Sequence, residues 1–299
     1  MSEITKKKVI IITSISLVVL LTTGIGGYMI WNNQKNVPPS YEDFNPNDYL
    51  DNNAALFSNF ETFRLESPSL GNCMERYNPY QLFNLAVYES QKNDLIKFQA
   101  SGLVDVGGLK QDILAYQLKN VDQYFYESIS KGLISTAKRF YQDEEITWYR
   151  GKYNQNKEMV WNPESETIVS IEEFQEAWGF DLSIFSPYIV SSLTCLETST
   201  AVIEDNLIQI SLDLDPFFSV LNYVKQMVKM GNLEEAPIFK NINVKITFDE
   251  DFLIQSTEIF EQYKVKKFGW FDATGTLTGD FTFGVQESFP PLDTEIIYE

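Results

Sequence analysis

The sequence predicts an α+β fold in which one large curved antiparallel sheet, a half-barrel, packs on a few helices and is preceded by one transmembrane helix. Three observations lead to this prediction. Residues 9–31 contain no charged side chain, which is typical of a membrane-spanning helix. From residue 97 onward, many apolar residues recur at every second position, as they do in β-strands. The aromatic side chains, including 16 Tyr and 22 Phe, also favour strands because they pack well on a pleated surface.

The charge-free segment at residues 9–31 has the length of a membrane anchor. As a helix its 23 residues would measure roughly 35 Å, and the hydrocarbon layer of a bilayer is about 30 Å thick. Three lysines precede it, so the positive-inside rule places the N-terminus in the cytoplasm and the rest of the chain outside. A cleaved signal peptide with its apolar core at residues 9–21 is the alternative. Apolar character continues to Trp31, which favours the anchor.

These features predict four segments: a cytoplasmic stub at 1–8, a transmembrane anchor at 9–31, an extracytoplasmic tether at 32–46 and an acidic extracytoplasmic α+β domain at 47–299. The tether is polar, contains three prolines and would reach at most about 55 Å from the bilayer. The predicted localisation is therefore the cell membrane, with a single pass and with the C-terminal domain outside.

The chain beyond the anchor is strongly acidic. It contains 20 basic and 41 acidic residues, a net charge of −21, because only three lysines and one glutamate precede it. Nucleic acids and other polyanions bind to basic patches, and the sequence has no basic run outside residues 6–8. The composition therefore excludes nucleic acid as a partner and leaves membrane contact to the N-terminal helix.

Capping signals predict three helices in the outer domain, at residues 78–92, 170–179 and 215–231, with weaker helical character at 49–60. The first and third begin with an Asn or Asp cap that is followed by proline, which is favoured in the first turn. The second begins with Ser170 and Glu173, a capping box. Glycines at positions 179 and 231 are expected to end the second and third helices.

Alternating apolar residues predict about nine strands, at positions within residues 97–161, 207–214, 242–248, 253–265 and 273–283. The first of these regions is predicted to be an antiparallel meander that turns at Gly107 and Gly108, at residues 120–122 and at residues 142–145. In the last strand Ala273, Leu277, Phe281 and Phe283 point one way and the threonines point the other. We therefore predict that one face of this strand, including Phe281, is buried and that the other is wet.

The two cysteines, Cys73 and Cys195, would lie in a compartment that permits a disulfide. Their spacing leaves open whether they pair. A structural zinc site is not expected, because two cysteines and no histidine do not supply four ligands without several carboxylates.

No stretch of the sequence meets the requirements of a known catalytic signature. The absence of histidine excludes catalytic triads, Cys-His pairs and histidine metal sites. Two Ser-x-x-Lys matches, at 128–131 and 135–138, lie in predicted strands, and the Lys-Thr-Gly partner motif is missing. Three acidic clusters, at Glu144 with Glu145, Asp213 with Asp215, and residues 249–251, are interpreted as turn acids rather than a calcium or glycosidase site. We assign no catalytic, cofactor-binding or metal-binding residue and expect no cofactor.

Three stretches carry a resemblance to a known class of protein. They are KRFYQDEEITWYR at 138–150, ITFDEDF at 246–252 leading into EQYKVK at 261–266, and GTLTGDFTF at 275–283. Their rhythm resembles extracytoplasmic bacterial half-barrel proteins of the lipoprotein-carrier type. The resemblance implies a bent antiparallel sheet that wraps helices and can enclose an acyl-binding cavity. Many members are acylated lipoproteins, whereas this chain has no cysteine before Cys73, and no site residue of that class can be placed on this sequence.

The function expected from these observations is that of a membrane-anchored envelope protein. We expect a non-enzymatic binder of a lipid or another apolar ligand, or of a protein partner. One alternative is a scaffold or assembly subunit of an envelope complex. Another is a cell-wall hydrolase that uses carboxylates, so enzymatic activity is left open by the sequence.

Overall fold

The computed structural model describes residues 36–132, 135–154, 159–183, 186–266 and 269–290. The predicted stub and anchor lie outside these ranges. Within them, no helix combines the length and the apolar character that crossing a bilayer requires.

The described residues contain five α-helices: α1 Ala54–Arg64, α2 Leu70–Arg76, α3 Pro79–Gln91, α4 Ile171–Trp178 and α5 Tyr223–Gly231, together with 3-10 helices at Tyr41–Asp43, Pro46–Tyr49 and Phe218–Val220. The predicted caps of α3 and α4 are confirmed. Asn78 and Gln81 form a capping box at the start of α3, and Ser170 and Glu173 form one at α4. Gly179 ends α4 in the left-handed conformation, which glycine adopts without a steric penalty.

The predicted helix at 215–231 is divided in two. The Asp215 carboxylate accepts N–H groups from Phe217 at 2.9 Å and Phe218 at 2.7 Å, but it caps only a 3-10 turn. The carbonyl of Ser219 accepts the N–H of Ile189 instead of a helical partner, at 2.8 Å, so the regular helix starts later. The helix ends at Gly231, as predicted, and the left-handed residue that follows it is Asn232.

All described strands belong to one antiparallel sheet, whose members are β1 Leu95–Val106, β2 Leu109–Asn120, β3 Gln123–Lys131, β4 Thr136–Gln142, β5 Ile146–Tyr153, β6 Met159–Val169, β7 Thr200–Glu204, β8 Leu207–Leu214, β9 Ile238–Phe248, β10 Ile254–Lys266 and β11 Trp270–Phe283. Their spatial order is β6-β5-β4-β3-β2-β1-β11-β10-β9-β8-β7. The predicted single large sheet is confirmed, with 11 strands in the described part rather than about nine. The edge strands β6 and β7 were missed, since β6 contains Pro163 and a bulge and β7 has only five residues.

The sheet has two faces, and we call the one that packs against the helices the inner face and the opposite one the outer face. The inner face, which includes Ile208, Val244 and Phe281, packs against the helices in one large hydrophobic core. The outer face includes Thr276 and Thr282 of β11, which are exposed, whereas Phe281 is only 8% exposed. The predicted alternation of β11 between a buried and a wet face is therefore confirmed.

A second core on the inner face lies at the opposite end of the sheet. Six buried residues, most of them aromatic, come from β4, β5, α4 and the turn after α4: Phe140, Ile146, Trp148, Phe174, Trp178 and Leu182. The rings of Phe140 and Trp178 meet edge to face with centroids 5.2 Å apart, a favourable aromatic geometry. This core holds α4 against β4 and β5.

Packing begins before the predicted domain start at Asn47. Tyr41 is buried, its ring stacks on Phe217 at 5.0 Å, and its hydroxyl donates to the carbonyl of Pro237 at 3.0 Å. Asn36 accepts a hydrogen bond from Lys264 at 2.6 Å. The structure therefore places the segment from Asn36 on the domain, where the sequence predicted part of a tether.

The residues that follow β11 cover part of the outer face of β1–β4. Glu287 accepts hydrogen bonds from the Tyr116 hydroxyl at 2.6 Å and from Lys97 at 2.7 Å, and the carbonyl of Pro290 accepts one from the Tyr141 hydroxyl at 2.6 Å. Beneath this segment Glu127 and Arg139 form an ion pair at 2.6 Å, and both side chains have 0% exposure. In this region the sheet therefore buries part of its outer face as well.

Candidate functional site

The inner face contains a cavity of about 260 Å³, bounded by β1, β2, β3, the last residue of α3 and one loop residue. Its lining consists of Gln91, Ile96, Phe98, Gln117, Lys119, Tyr124 and Ser183. Pockets for small ligands usually measure about 300 to 1,000 Å³. At about 260 Å³ the cavity lies just below this range, so it has the size for one part of a larger ligand.

The strand register brings the cavity walls together. Ile96 and Phe98 lie on the inner face of β1, opposite Lys119 and Gln117 of β2, and Tyr124 of β3 is opposite Lys119. The Lys119 ammonium donates to the backbone carbonyls of Gln91 at 2.8 Å and Asn93 at 2.7 Å. Because its cationic group is occupied by carbonyls, the apolar wall of Ile96 and Phe98 is the feature that suits an apolar ligand.

A buried polar cluster, which we name the Glu261 cluster, lies on the inner face of β10 and consists of Glu261, Tyr188, Tyr223 and Tyr263. The Glu261 carboxyl is 5% exposed, and the hydroxyls of Tyr188 and Tyr223 donate to it. Burial raises the pKa of Glu261 to about 7, although the two tyrosine hydrogen bonds act in the opposite direction. The carboxyl therefore titrates near neutral pH. Its donors come from the segment after α4 and from α5, so the cluster ties both to the sheet.

A buried lysine lies on the inner face of β4. The Lys138 ammonium donates to the carbonyls of Lys229 at 2.7 Å and Met230 at 2.9 Å, at the end of α5. It also lies 5.7 Å from the centre of the Trp178 ring. Burial, together with the nearby charge of Arg150, lowers the pKa of Lys138 to about 8. A cation at this position suits the C-terminal end of a helix, where carbonyls are free.

The structure separates the residues of both Ser-x-x-Lys matches. Residues three apart in a strand point to opposite faces, so Ser128 does not face Lys131, whose ammonium lies over Tyr153. Lys138 is directly opposite Ser128 across β3 and β4, a pairing that the sequence did not reveal. The Lys138 ammonium is bonded to helix carbonyls, and no hydrogen bond joins it to a serine in the described residues. The interpretation of these motifs as chance matches fits this arrangement.

Two of the three acidic clusters hold turns, through Asp215 and Asp249, whereas Asp213 lies in β8 and accepts a hydrogen bond from the Asn243 amide at 2.7 Å. Asp215 accepts two N–H groups, as described above, and Asp249 accepts those of Asp251 at 3.0 Å and Leu253 at 2.9 Å. Glu144 and Glu145 are exposed at the hairpin between β4 and β5. In the described part of the chain, no group of three or more His, Cys, Asp or Glu side chains is placed to hold a metal ion.

Both cysteines are free thiols. Cys73 is buried in α2, and Cys195 is half-buried with its Sγ atom 3.1 Å from the Oγ atom of Ser199. Burial raises the pKa of both thiols, which lowers their reactivity. The disulfide that the sequence left open is therefore absent from the structure.

Comparison with known proteins identifies similar solved structures but no family. No protein family model matches the sequence, and no curated protein matches it. A DUF1329 family protein from Desulfovibrio piger has a TM-score of 0.27 and 12% identity, with 71% of this chain and 96% of that protein covered. A domain from Vibrio parahaemolyticus, provisionally described as an outer membrane lipoprotein-sorting domain, has a TM-score of 0.24 and 8% identity, with 70% and 94% covered. The second belongs to the type of protein that the sequence resembles. At these TM-scores neither likeness bears on function.

Proposed function

We propose that this chain is a membrane-anchored protein of the bacterial cell envelope whose outer domain binds an apolar ligand, such as a lipid, without catalysing a reaction. The observation that supports this proposal is the cavity on the inner face, with Ile96 and Phe98 in its wall. The three N-terminal lysines support a cytoplasmic N-terminus and an outer domain. Of the acidic residues considered for a hydrolase, Asp215 and Asp249 hold turns and Asp213 bonds to Asn243, so no observation favours that alternative.

Native mass spectrometry tests ligand binding. Residues 36–299 include every contact described above, so this fragment would be purified without detergent and exposed to vesicles of phosphatidylethanolamine and phosphatidylglycerol. We expect a retained lipid in the spectrum. Ser183 lines the cavity, so Ser183→Leu should fill part of it and reduce lipid retention. Ser101 is exposed on the outer face, and Ser101→Leu is the matched control that should retain lipid.

Two results would argue against a ligand-binding domain. The first is a clean mass without lipid for the unmodified fragment. The second is equal lipid retention by the Ser183→Leu and Ser101→Leu variants, because a ligand outside the cavity would not respond to its filling.

A scaffold or assembly subunit remains the second candidate, and the β7 edge of the sheet favours it. Val202 and Ile203 on this strand are 47% and 45% exposed, and Leu193 and Leu196 nearby are 62% and 43% exposed. An open strand edge with apolar side chains is suited to pairing with a strand of another chain. Under this function Val202→Cys should crosslink to an envelope protein in intact cells, and a Cys at exposed Thr282 should not. Equal crosslinking at both positions would show that β7 is not a specific interface, and the scaffold function would lose its supporting observation.

A further inference from the structure

Three basic side chains form a row on the inner face of β4 and β5, and we name Lys138, Arg150 and Lys152 the cation row. Lys138 is directly opposite Arg150 in the strand register. Lys152 lies two residues beyond Arg150 and therefore shares its face. Like charges directly opposite each other destabilise a sheet. The stability of the sheet therefore does not account for the presence of these three cations on one face.

The cation row has no acidic partner in the part of the chain that the structure describes. None of the ion pairs there includes Lys138, Arg150 or Lys152. This is unexpected in a protein with 42 acidic and 23 basic residues, where most cations have carboxylates available. Lys138 is buried and donates to two helix carbonyls, whereas Arg150 and Lys152 are exposed. The positive charge of Arg150 and Lys152 therefore remains available to a ligand.

Two tryptophans of the second core and one hydroxyl group lie next to the row. The Arg150 guanidinium lies 5.1 Å from the centre of the Trp148 ring, and the Lys138 ammonium lies 5.7 Å from that of Trp178. Both rings are buried, so they report on the row without offering a surface to a ligand. Ser128 is opposite Lys138 on β3. A guanidinium matches the two oxygens of a phosphate or carboxylate group.

We propose that the cation row, through the exposed Arg150 and Lys152, binds the phosphate or carboxylate group of an anionic amphiphile. This inference names the ligand class and so rests on the proposed function. The row also explains how a chain with a net charge of −19 could bind an anionic ligand. Repulsion between exposed charges is screened beyond about 8 Å at physiological salt, whereas the row acts at contact distance.

Tryptophan fluorescence titration of the full chain, held in nanodiscs of phosphatidylcholine, tests the proposal. The probes are soluble dihexanoyl phosphatidylglycerol, dihexanoyl phosphatidylcholine and inorganic phosphate. We expect the anionic lipid to bind about tenfold more tightly than the neutral one, the effect of one charge-assisted contact. Arg150→Gln should remove this preference. Lys110→Gln removes one charge at an exposed position on the outer face and should preserve it.

The outcomes separate the inference from the proposed function. Equal binding of both lipids, unchanged by Arg150→Gln, would overturn the cation row as an anion site and leave a ligand-binding domain. Binding of inorganic phosphate without either lipid would keep the anion site but overturn the amphiphile and the proposed function. No binding of any probe would overturn both. Arg150 is exposed, so its variant should fold, and a thermal melt that matches the unmodified chain verifies this.

Discussion

At the scale of single residues, two buried ionisable groups on the inner face have pKa values that shift in opposite directions. Burial raises the pKa of Glu261 to about 7 and lowers that of Lys138 to about 8. In both cases burial disfavours the charged form. Because a pKa that differs between folded and unfolded states makes stability depend on pH, each group affects stability in its own pH window.

Glu261 should make the domain less stable as the pH rises through neutrality. Its folded pKa of about 7 exceeds the ordinary value of 4.5, so its contribution is complete below pH 4.5 and is lost as the pH approaches 7. The loss is about 3 kcal/mol for a shift of this size. Urea melts between pH 5 and pH 7.5 should show a downward slope that Glu261→Gln reduces. Lys138 does not contribute to this slope, because its window lies between about 8 and 10.5. Identical slopes for both proteins would contradict the prediction.

Replacing only one member of the buried Glu127–Arg139 pair on the outer face should lower the free energy of unfolding strongly. Both side chains have 0% exposure and pair at 2.6 Å, and Arg139 also lies 4.1 Å from the Trp161 ring centre. Either Glu127→Gln or Arg139→Met would leave one charge without its ionic partner, at a cost of about 3 to 5 kcal/mol.

A double-mutant cycle measured by denaturant unfolding tests this pair. The double variant should lose clearly less stability than the sum of the two single variants, because it leaves no buried charge. Additive losses would show that the two side chains act independently.

At the scale of elements, β11 is the strand whose two faces differ most clearly. Phe281 is buried and its ring centre lies 4.5 Å from that of Phe98. Phe281→Ala should therefore cost about 3 to 5 kcal/mol of unfolding free energy. Thr282 is exposed on the outer face, so Thr282→Ala should cost far less. Urea melts with and without added lipid measure both, and equal small losses would contradict the assigned faces.

The elements also show which signals in the sequence survive tertiary packing. Caps at Asn78 and Ser170 act within a few residues, and both helices begin where the sequence predicts. Asp215 has the same local signal, but the segment after it makes a 3-10 turn because the residues from Phe217 onward bond and stack with distant parts of the chain. The local sequence pattern therefore predicted the start of a helix correctly where no tertiary contact competed with the helical hydrogen bonds.

At the scale of the whole molecule, the predicted membrane topology determines which side of the cell meets the ligand. With the N-terminus in the cytoplasm, a cysteine in the Ser2→Cys variant, made in a chain whose free Cys73 and Cys195 are replaced by serine, should be protected from a membrane-impermeant thiol reagent in intact cells. Protease added outside should release the acidic domain. Labelling of this variant from outside would reverse the predicted orientation, and Ser101→Cys in the same background, at an exposed position of the predicted outer domain, provides the positive control.

The whole sheet depends on pairs that are far apart in the sequence. Its centre is the pairing of β1 with β11, in which Phe98 lies opposite Phe281. Gly279 allows this approach, since a Cβ atom there would come within 2.4 Å of the Phe98 ring. Period-two patterns predict that a strand exists and which residues share a face, but they do not predict its partner.

The sequence by itself determined the class of fold, most strands, the caps of α3 and α4 and the two faces of β11, because each follows from the order of residues along a short segment. Tertiary structure decided the rest. The cavity, the Glu261 cluster and the cation row each combine side chains from strands, helices or loops that are separated along the chain. Burial changes the pKa of Glu261, and register places Lys138 opposite Arg150. Both effects arise only when the sheet has closed on its helices.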